Sequence, residues 1–253
     1  MSGWKLTRTA LAAMLSLLLA GAGQAQLKIY PCKQRLDSLV VKRPDVDVRI
    51  LFPAFDSPTG WSEPVTHLLQ ENAQSRLKGA ISVAAETEPV VVGSKDPVYI
   101  EEGRMFLVWG SPELVVLRDT YYTYSAGMAH GDESTHFRIL AWHKGKLKPA
   151  FLSELLKWNR DLRTELNRHI EGQLRLLGAS AVLEGEWKEL DTRRLQDAAP
   201  TEQGLLYVLN AYEAGSYAEG AFEIIIPWRA LASWIPPGES LDRMLQEIGR
   251  AHV

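Results

Sequence analysis

From Arg104 to His143 the chain is dense in β-branched and aromatic residues, and from Leu155 to Leu177 its apolar residues recur mainly in steps of four. The first pattern is satisfied by paired strands, the second by a long helix with one buried stripe. Neither element can hide its apolar face alone, so the chain must lay helix on sheet. Within the β-rich stretch, MFLVW at 105–109 and ELVVLRDTYYTY at 113–124 are separated by Gly-Ser-Pro, which predicts a hairpin. THFRILAWH at 135–143 supplies a third strand, closed by Lys144, Gly145 and Lys146. In the helix, Leu155, Trp158, Leu162, Leu166, Ile170, Leu174 and Leu177 form the stripe, Ser153 offers a cap and Gly178 a stop. Asn159 is a second good cap inside that run and marks where the helix can break.

Upstream, Leu39–Val41 and Val46–Phe52 read as strands split by Pro44, the second ending in the turn-rich LFPAFDSPTG. Ser62 can cap a helix with Pro64 in its first turn, striped by Val65, Leu68, Leu69, Ala73, Leu77 and Ile81. Ser82 to Pro97, punctuated by Pro89 and Gly93, reads as irregular chain or an edge strand. Downstream, AVLEGEWKEL at 181–190 and LLYVLNAY at 205–212 read as strands leading to FEIIIPW at 222–228. A short helix over Trp228–Ile235 follows, and after Pro236-Pro237-Gly238 a small tail helix capped by Ser240. The expectation is an α+β fold of two tandem units, each a helix packed on a mostly antiparallel sheet. Their expected bounds are 26–103 and 104–235, with the tail over 236–253.

Residues 1–25 read as an address. Lys5 and Arg8 precede an apolar stretch from Ala10 to Ala20, and Gly23 and Ala25 sit at −3 and −1 of a small-residue cleavage site. The apolar stretch is shorter than the roughly 20 residues a spanning helix needs. An exported protein beginning at Gln26 is expected, periplasmic or secreted, with no membrane span after cleavage. Loss of Lys5 and Arg8 takes the net charge from −3 to −5, a poor match to nucleic acid. Cys32 is the sole cysteine, so an internal disulfide is excluded. Burial must hold the fold, and eight Trp and eight Tyr, all but Trp4 beyond residue 25, offer the area for it.

Catalytic signatures are sparse. His130, His136 and His143 fall within 14 residues with Asp132 and Glu133 among them, yet the spacing does not suit a zinc site, so no metal or cofactor is expected. On a strand His136 and His143 point to opposite faces. Ser216 lacks the flanking glycine pattern of a nucleophile elbow. Paired glutamates, Glu184 with Glu186 or Glu213 with Glu219, are the one enzyme-class alternative, a wall-glycan hydrolase. Alternating charge on a strand more often marks its solvated face.

Two Gly- and Tyr-rich signatures stand out instead: YYTYSAGMAHGDESTHFRILAW at 121–142 and GLLYVLNAYEAGSYAEGAFEIIIPWRAL at 204–231. They resemble the two blocks of the RsiV-like extracytoplasmic domain, Tyr-x-Tyr-x-x-Gly-x-x-His-Gly and Tyr-Glu-x-x-x-Tyr-Ala-x-Gly. VDVRILFPAF and the helix after it, carrying Asn72, are similar to that family's N-terminal unit. The second signature reads Tyr212-Glu213-Ala214-Gly215-Ser216-Tyr217 where the commoner form is Tyr-Glu-Ile-Ala-Pro-Tyr.

The resemblance implies a non-enzymatic domain that binds a protein partner outside the cytoplasm. In RsiV-type anti-sigma factors that partner is lysozyme. The implied partner here is a lysozyme-type muramidase or another envelope-targeting protein, with inhibition by cleft occupation as its consequence. Immunity against a toxin delivered to the periplasm is the alternative binding role. Tyr122, Tyr124, His130, Tyr212, Glu213 and Tyr217 are the partner-binding candidates, because tyrosine and glycine loops give large contact area at low entropic cost.

Overall fold

The computed structural model describes residues 33–56, 60–87, 97–143 and 146–251. The expected signal segment, Cys32 and the Pro89–Gly93 stretch lie outside the described residues. Six strands form one sheet in strict sequence order: β1 (Lys33–Lys42), β2 (Val46–Asp56), β3 (Tyr99–Gly110), β4 (Leu114–Ser125), β5 (Asp132–His143) and β6 (Lys146–Ala150). Every neighbouring pair is antiparallel except β2 and β3, which run parallel. Their connection carries the 25-residue helix α1 (Ser62–Glu86), the kind of crossover a parallel pair requires. A second, three-stranded antiparallel sheet contains β7 (Ala199–Pro200), β8 (Gly204–Leu209) and β9 (Phe222–Pro227).

The run LVVL at the start of β4 is buried on both faces, which explains why it reads as continuous rather than alternating. Val115 and Leu117 join a core under α1 with Val48, Ile50, Leu69 and Ala73. Leu114 and Val116 join the opposite core, built with the smaller sheet and with α3 (Arg160–Leu177), whose Leu162, Leu166, Ile170 and Leu174 are fully buried. The larger sheet is thus a shared wall between two cores.

The α+β architecture matches expectation, with a helix on each of two mostly antiparallel sheets. The larger sheet, however, takes strands from both sides of residue 103, which falls inside β3. Asn159 does break the second helical run: α2 (Leu152–Leu155) ends, and α3 starts with the Asn159 side chain accepting from Leu162 N at 2.8 Å. Ser153 caps neither helix. Gly178 closes α3 at φ 79°. Trp61, not Ser62, occupies the cap position of α1, and that helix runs through Ser82 to Glu86 where irregular chain or strand was expected.

The stretch 181–190 is not a strand. Ser180–Leu183 form one helical turn, α4, and the chain then turns at Gly185 with φ 77°. Leu190 takes its backbone bonds from the Asn167 side chain, which accepts from its N–H at 2.8 Å and donates to its carbonyl at 3.2 Å. A helix side chain thereby replaces the strand neighbour. The C-terminal part is a short helix α5 (Trp228–Leu231), a 3-10 turn over Ala232–Trp234 and the tail helix α6 (Ser240–Ala251).

Candidate functional site

The turn between β4 and β5 carries His130, and the turn after β8 carries Tyr212 and Tyr217. The smaller sheet docks on β4 and β5, so the two signatures meet although they lie about eighty residues apart. His130 stacks on Tyr217 with ring centroids 3.6 Å apart at 20°. Its Nε2 is 3.0 Å from the Tyr212 hydroxyl, and its Nδ1 is 2.9 Å from the Gly131 carbonyl. A carbonyl only accepts, so Nδ1 carries a proton. In the neutral ring Nε2 is then the acceptor and the Tyr212 hydroxyl donates to it. Tyr212 and Tyr217 complete the triad at 5.8 Å.

Glycine permits this assembly at two points of close approach. A Cβ on Gly131 would lie 2.2 Å from the Tyr122 ring, and a Cβ on Gly215 would lie 2.6 Å from the Glu219 carboxylate. Tyr122 therefore props the His130 turn from below. Burial raises its phenol pKa, with Tyr217, Tyr124 and Glu102 adding to the effect. Tyr124 lies on the same face of β4 but past the last residue paired with β5. No ring contact or hydrogen bond joins it to the triad among the described residues.

Three ties fix the 210–219 segment. Asn210 bonds both backbone groups of Thr135 on β5. Glu213 takes two bonds from Arg194, at 2.6 and 2.8 Å, and one from the Asn210 N–H at 2.5 Å. Glu219 accepts from the N–H and hydroxyl of both Ser180 and Ser216. Those bonds, led by the Ser180 hydroxyl, hold its carboxyl down at about 2. Arg194 also donates to the carbonyls of Val208 and Asp197 and pairs with the Asp197 carboxylate at 3.2 Å. Asp197 in turn engages His136 Nδ1 at 3.1 Å and Phe137 N at 2.9 Å.

Of the six expected partner-binding residues, the fold brings His130, Tyr212 and Tyr217 into direct contact, with Tyr122 beneath. Glu213 instead holds the loop through Arg194. Sequence reading missed Arg194, Asn210 and Asp197, whose long-range partners lie 14 to 75 residues away. Tyr212 is the only non-glycine residue at positive φ, 69°, among the described residues, and its side chain is 62 % exposed. Holding a bulky residue in the left-handed region costs on the order of 1 kcal/mol. The three ties sustain it, and the result is an aromatic side chain turned to solvent.

The paired carboxylates are otherwise engaged. Glu213 is bound by Arg194, Glu219 is held ionised, and Glu223 pairs with Arg118 at 2.7 Å. Glu184 caps α4 and Glu186 follows in irregular chain, so no strand face sets them side by side. Among the described residues no group of three or more His, Cys, Asp or Glu is arranged to hold a metal ion. No helix among them is long and apolar enough to cross a membrane.

Residues 148–229, which hold β7–β9, α3 and all but the last two residues of the second signature, match the family described as "Protein of unknown function (DUF3298)". The chain carries a DUF3298 domain. Two solved structures of DUF3298 proteins share its fold. One, from Pseudomonas aeruginosa PAO1, is 17% identical with a TM-score of 0.55, over 82% of this chain and 94% of that one. The other, from Bacteroides fragilis NCTC 9343, is 14% identical with a TM-score of 0.56, over 87% of this chain and 98% of that one. No curated protein matches the chain. Because both solved chains are covered almost whole, the likeness of fold extends beyond 148–229 to the larger sheet.

Proposed function

We propose that this is an exported, non-enzymatic binding protein of the RsiV-like type. Its His130–Tyr212–Tyr217 surface recognises a lysozyme-type muramidase in the periplasm or outside the cell. The observation that carries the reading is the strained, 62 % exposed Tyr212, held against His130 by a hydrogen-bonded network. Backbone strain of this kind clusters at functional sites, ligand clamps among them. Preorganised tyrosine surfaces also lose little entropy on binding. The net charge of −5 expected after cleavage favours approach to a cationic partner such as a C-type lysozyme.

The test is calorimetric titration of residues 26–253 with a C-type lysozyme, with wall lysis assayed in parallel. A 1:1 complex at roughly micromolar affinity or tighter, with lysis suppressed, supports the reading. Absence of heat and of any effect on lysis sinks it and turns the search to delivered toxins as partners.

A further inference from the structure

Tyr121 and Tyr122 are neighbours on β4 and serve opposite faces. Tyr122 props the His130 turn, while Tyr121 faces α1 and lines a separate pocket of about 570 Å³ between that helix and the sheet. Helix α1 packs chiefly on β2, leaving the sheet face at β4 and β5 less covered. Into the gap project Asn72 and Arg76 from the helix, Glu101 from β3, Asp119 and Tyr121 from β4, and Arg138 from β5.

The charges are layered. The carboxylates lie at the floor, with side chains only 2 % and 8 % exposed, and the guanidiniums of Arg76 and Arg138 lie nearer the mouth at 40 % and 26 %. Both carboxylates are engaged. Glu101 receives Arg76 Nε on one oxygen and the Tyr99 hydroxyl, at 2.7 Å, on the other. Asp119 meets Arg138 with both oxygens, Oδ2 at 2.7 Å from Nε and Oδ1 at 2.9 Å from Nη2. The donors are not all used. Both terminal nitrogens of Arg76, Nη1 of Arg138 and the buried Nδ2 of Asn72 have no hydrogen-bond partner among the described residues, and Arg138 Nε, though in ion-pair range of Asp119, lacks hydrogen-bond geometry to it.

Arg76 is held in place, its Nε on Glu101 and its guanidinium 4.0 Å above the Tyr121 ring centre. The pocket's buried unpartnered polar atoms, Asn72 Nδ2 and Arg138 Nε, are both donors, and two oriented guanidiniums stand beside them. The ligand must therefore bring acceptors. Because each arginine charge is already balanced by its own carboxylate, a planar monoanion suits the pocket better than a phosphate dianion. Beside the polar floor the helix presents Gly79, Ala80 and Val83. An added Cβ at Gly79 would meet nothing within 4 Å, so this wall is open to an apolar group. The volume lies in the range of small-molecule sites.

We propose that this pocket binds a small amphipathic carboxylate, its acid group received by Arg76, Arg138 and Asn72 and its apolar body lying along Gly79, Ala80 and Val83. Hexanoate is the probe, hexanamide and hexyl phosphate its comparisons, and heteronuclear NMR titration of the full chain the readout. Hexanoate is expected to saturate at about millimolar concentration, with hexanamide and hexyl phosphate each at least ~10-fold weaker.

Gly79→Leu keeps every ion pair and raises helix propensity, so it folds, and it should abolish saturation by filling the apolar wall. Asn72→Ala should weaken hexanoate about 3- to 10-fold. Failure of hexanoate to saturate, equal binding of hexanamide, tighter binding of hexyl phosphate, or unchanged binding to Gly79→Leu would each overturn the assignment. This outcome is independent of lysozyme binding, which concerns the opposite face of the sheet.

Discussion

The Asn210 side chain pairs with Thr135 as a neighbouring strand would: its Oδ1 accepts from the Thr135 N–H at 2.7 Å and its Nδ2 donates to the Thr135 carbonyl at 3.3 Å. Thr135 is 4 % exposed, so without Asn210 its backbone groups would stay buried and unpaired. Asn210→Ala should lower stability by about 2 kcal/mol, read by urea denaturation. Asn210→Asp should be as harmful, because a carboxylate cannot donate to the Thr135 carbonyl.

Arg194 joins Glu213, Asp197 and the Val208 carbonyl from one side chain that is only 18 % exposed. A lysine keeps the charge but cannot reach three separate acceptors with a flat fork. Arg194→Lys should cost about 2–3 kcal/mol in the same assay. It should also weaken lysozyme binding, since the turn bearing Tyr212 loses its brace.

Tyr212 separates strain from recognition. Tyr212→Gly relieves the positive φ but frees the unfolded chain, two effects of about 1 kcal/mol each that oppose one another. Stability should change by less than about 1 kcal/mol, while lysozyme affinity falls roughly 30-fold, as for loss of an interface tyrosine anchor. Tyr212→Phe, keeping the ring and losing the bond to His130, should cost about fivefold. Calorimetry on both variants checks this. Equal affinities for wild type and Tyr212→Gly would remove Tyr212 from the interface.

Gly131→Ala should displace the Tyr122 ring and with it the His130 turn, at about 2 kcal/mol. The imidazole protons of His130, shielded by Tyr217, should then move downfield in the NMR spectrum.

The His136–Asp197 pair carries the pH dependence. The hydrogen bond to Asp197 raises the His136 pKa above 6.5, against a smaller opposing effect of burial. Burial acts to raise the Asp197 carboxyl, but bonds from His136 and Phe137 N win and hold it below 3.8. The histidine contribution is therefore complete below pH 6.5 and is lost as pH rises through its raised pKa. The aspartate contribution is present above 3.8 and is lost as pH falls through its lowered one. With His136 more than half exposed, its share should stay under about 1 kcal/mol. Unfolding free energy should decline modestly from about pH 6 to 8 in wild type, and His136→Gln should flatten that decline.

What could be read from the sequence was whatever is written in local spacing. The β3–β4 hairpin, the stripe of α3, its start at Asn159 and its stop at Gly178 all follow from residues within a few positions of one another. The 181–190 stretch misled because Trp187 and Leu190 pack on the core from irregular chain, while Asn167 on α3 supplies the bonds a strand would have needed. Strands β6 and β7 are short, Lys-Leu-Lys-Pro-Ala and Ala-Pro, and owe their state to neighbours. At the site, glycine and tyrosine announced the loops. Arg194 and Asn210 did not, since their importance comes from partners that only the docking of the smaller sheet brings near.

The sequential order of the larger sheet also bears on when the recognition surface exists. Each of its strands pairs with one made just before it, so a chain synthesised N-terminus first can complete that sheet by residue 150. His130 is then in place, yet Tyr212 and Tyr217 are still to come. The aromatic triad closes only when the last-made sheet docks, so under the proposed function partner binding would double as a report that the whole chain has folded.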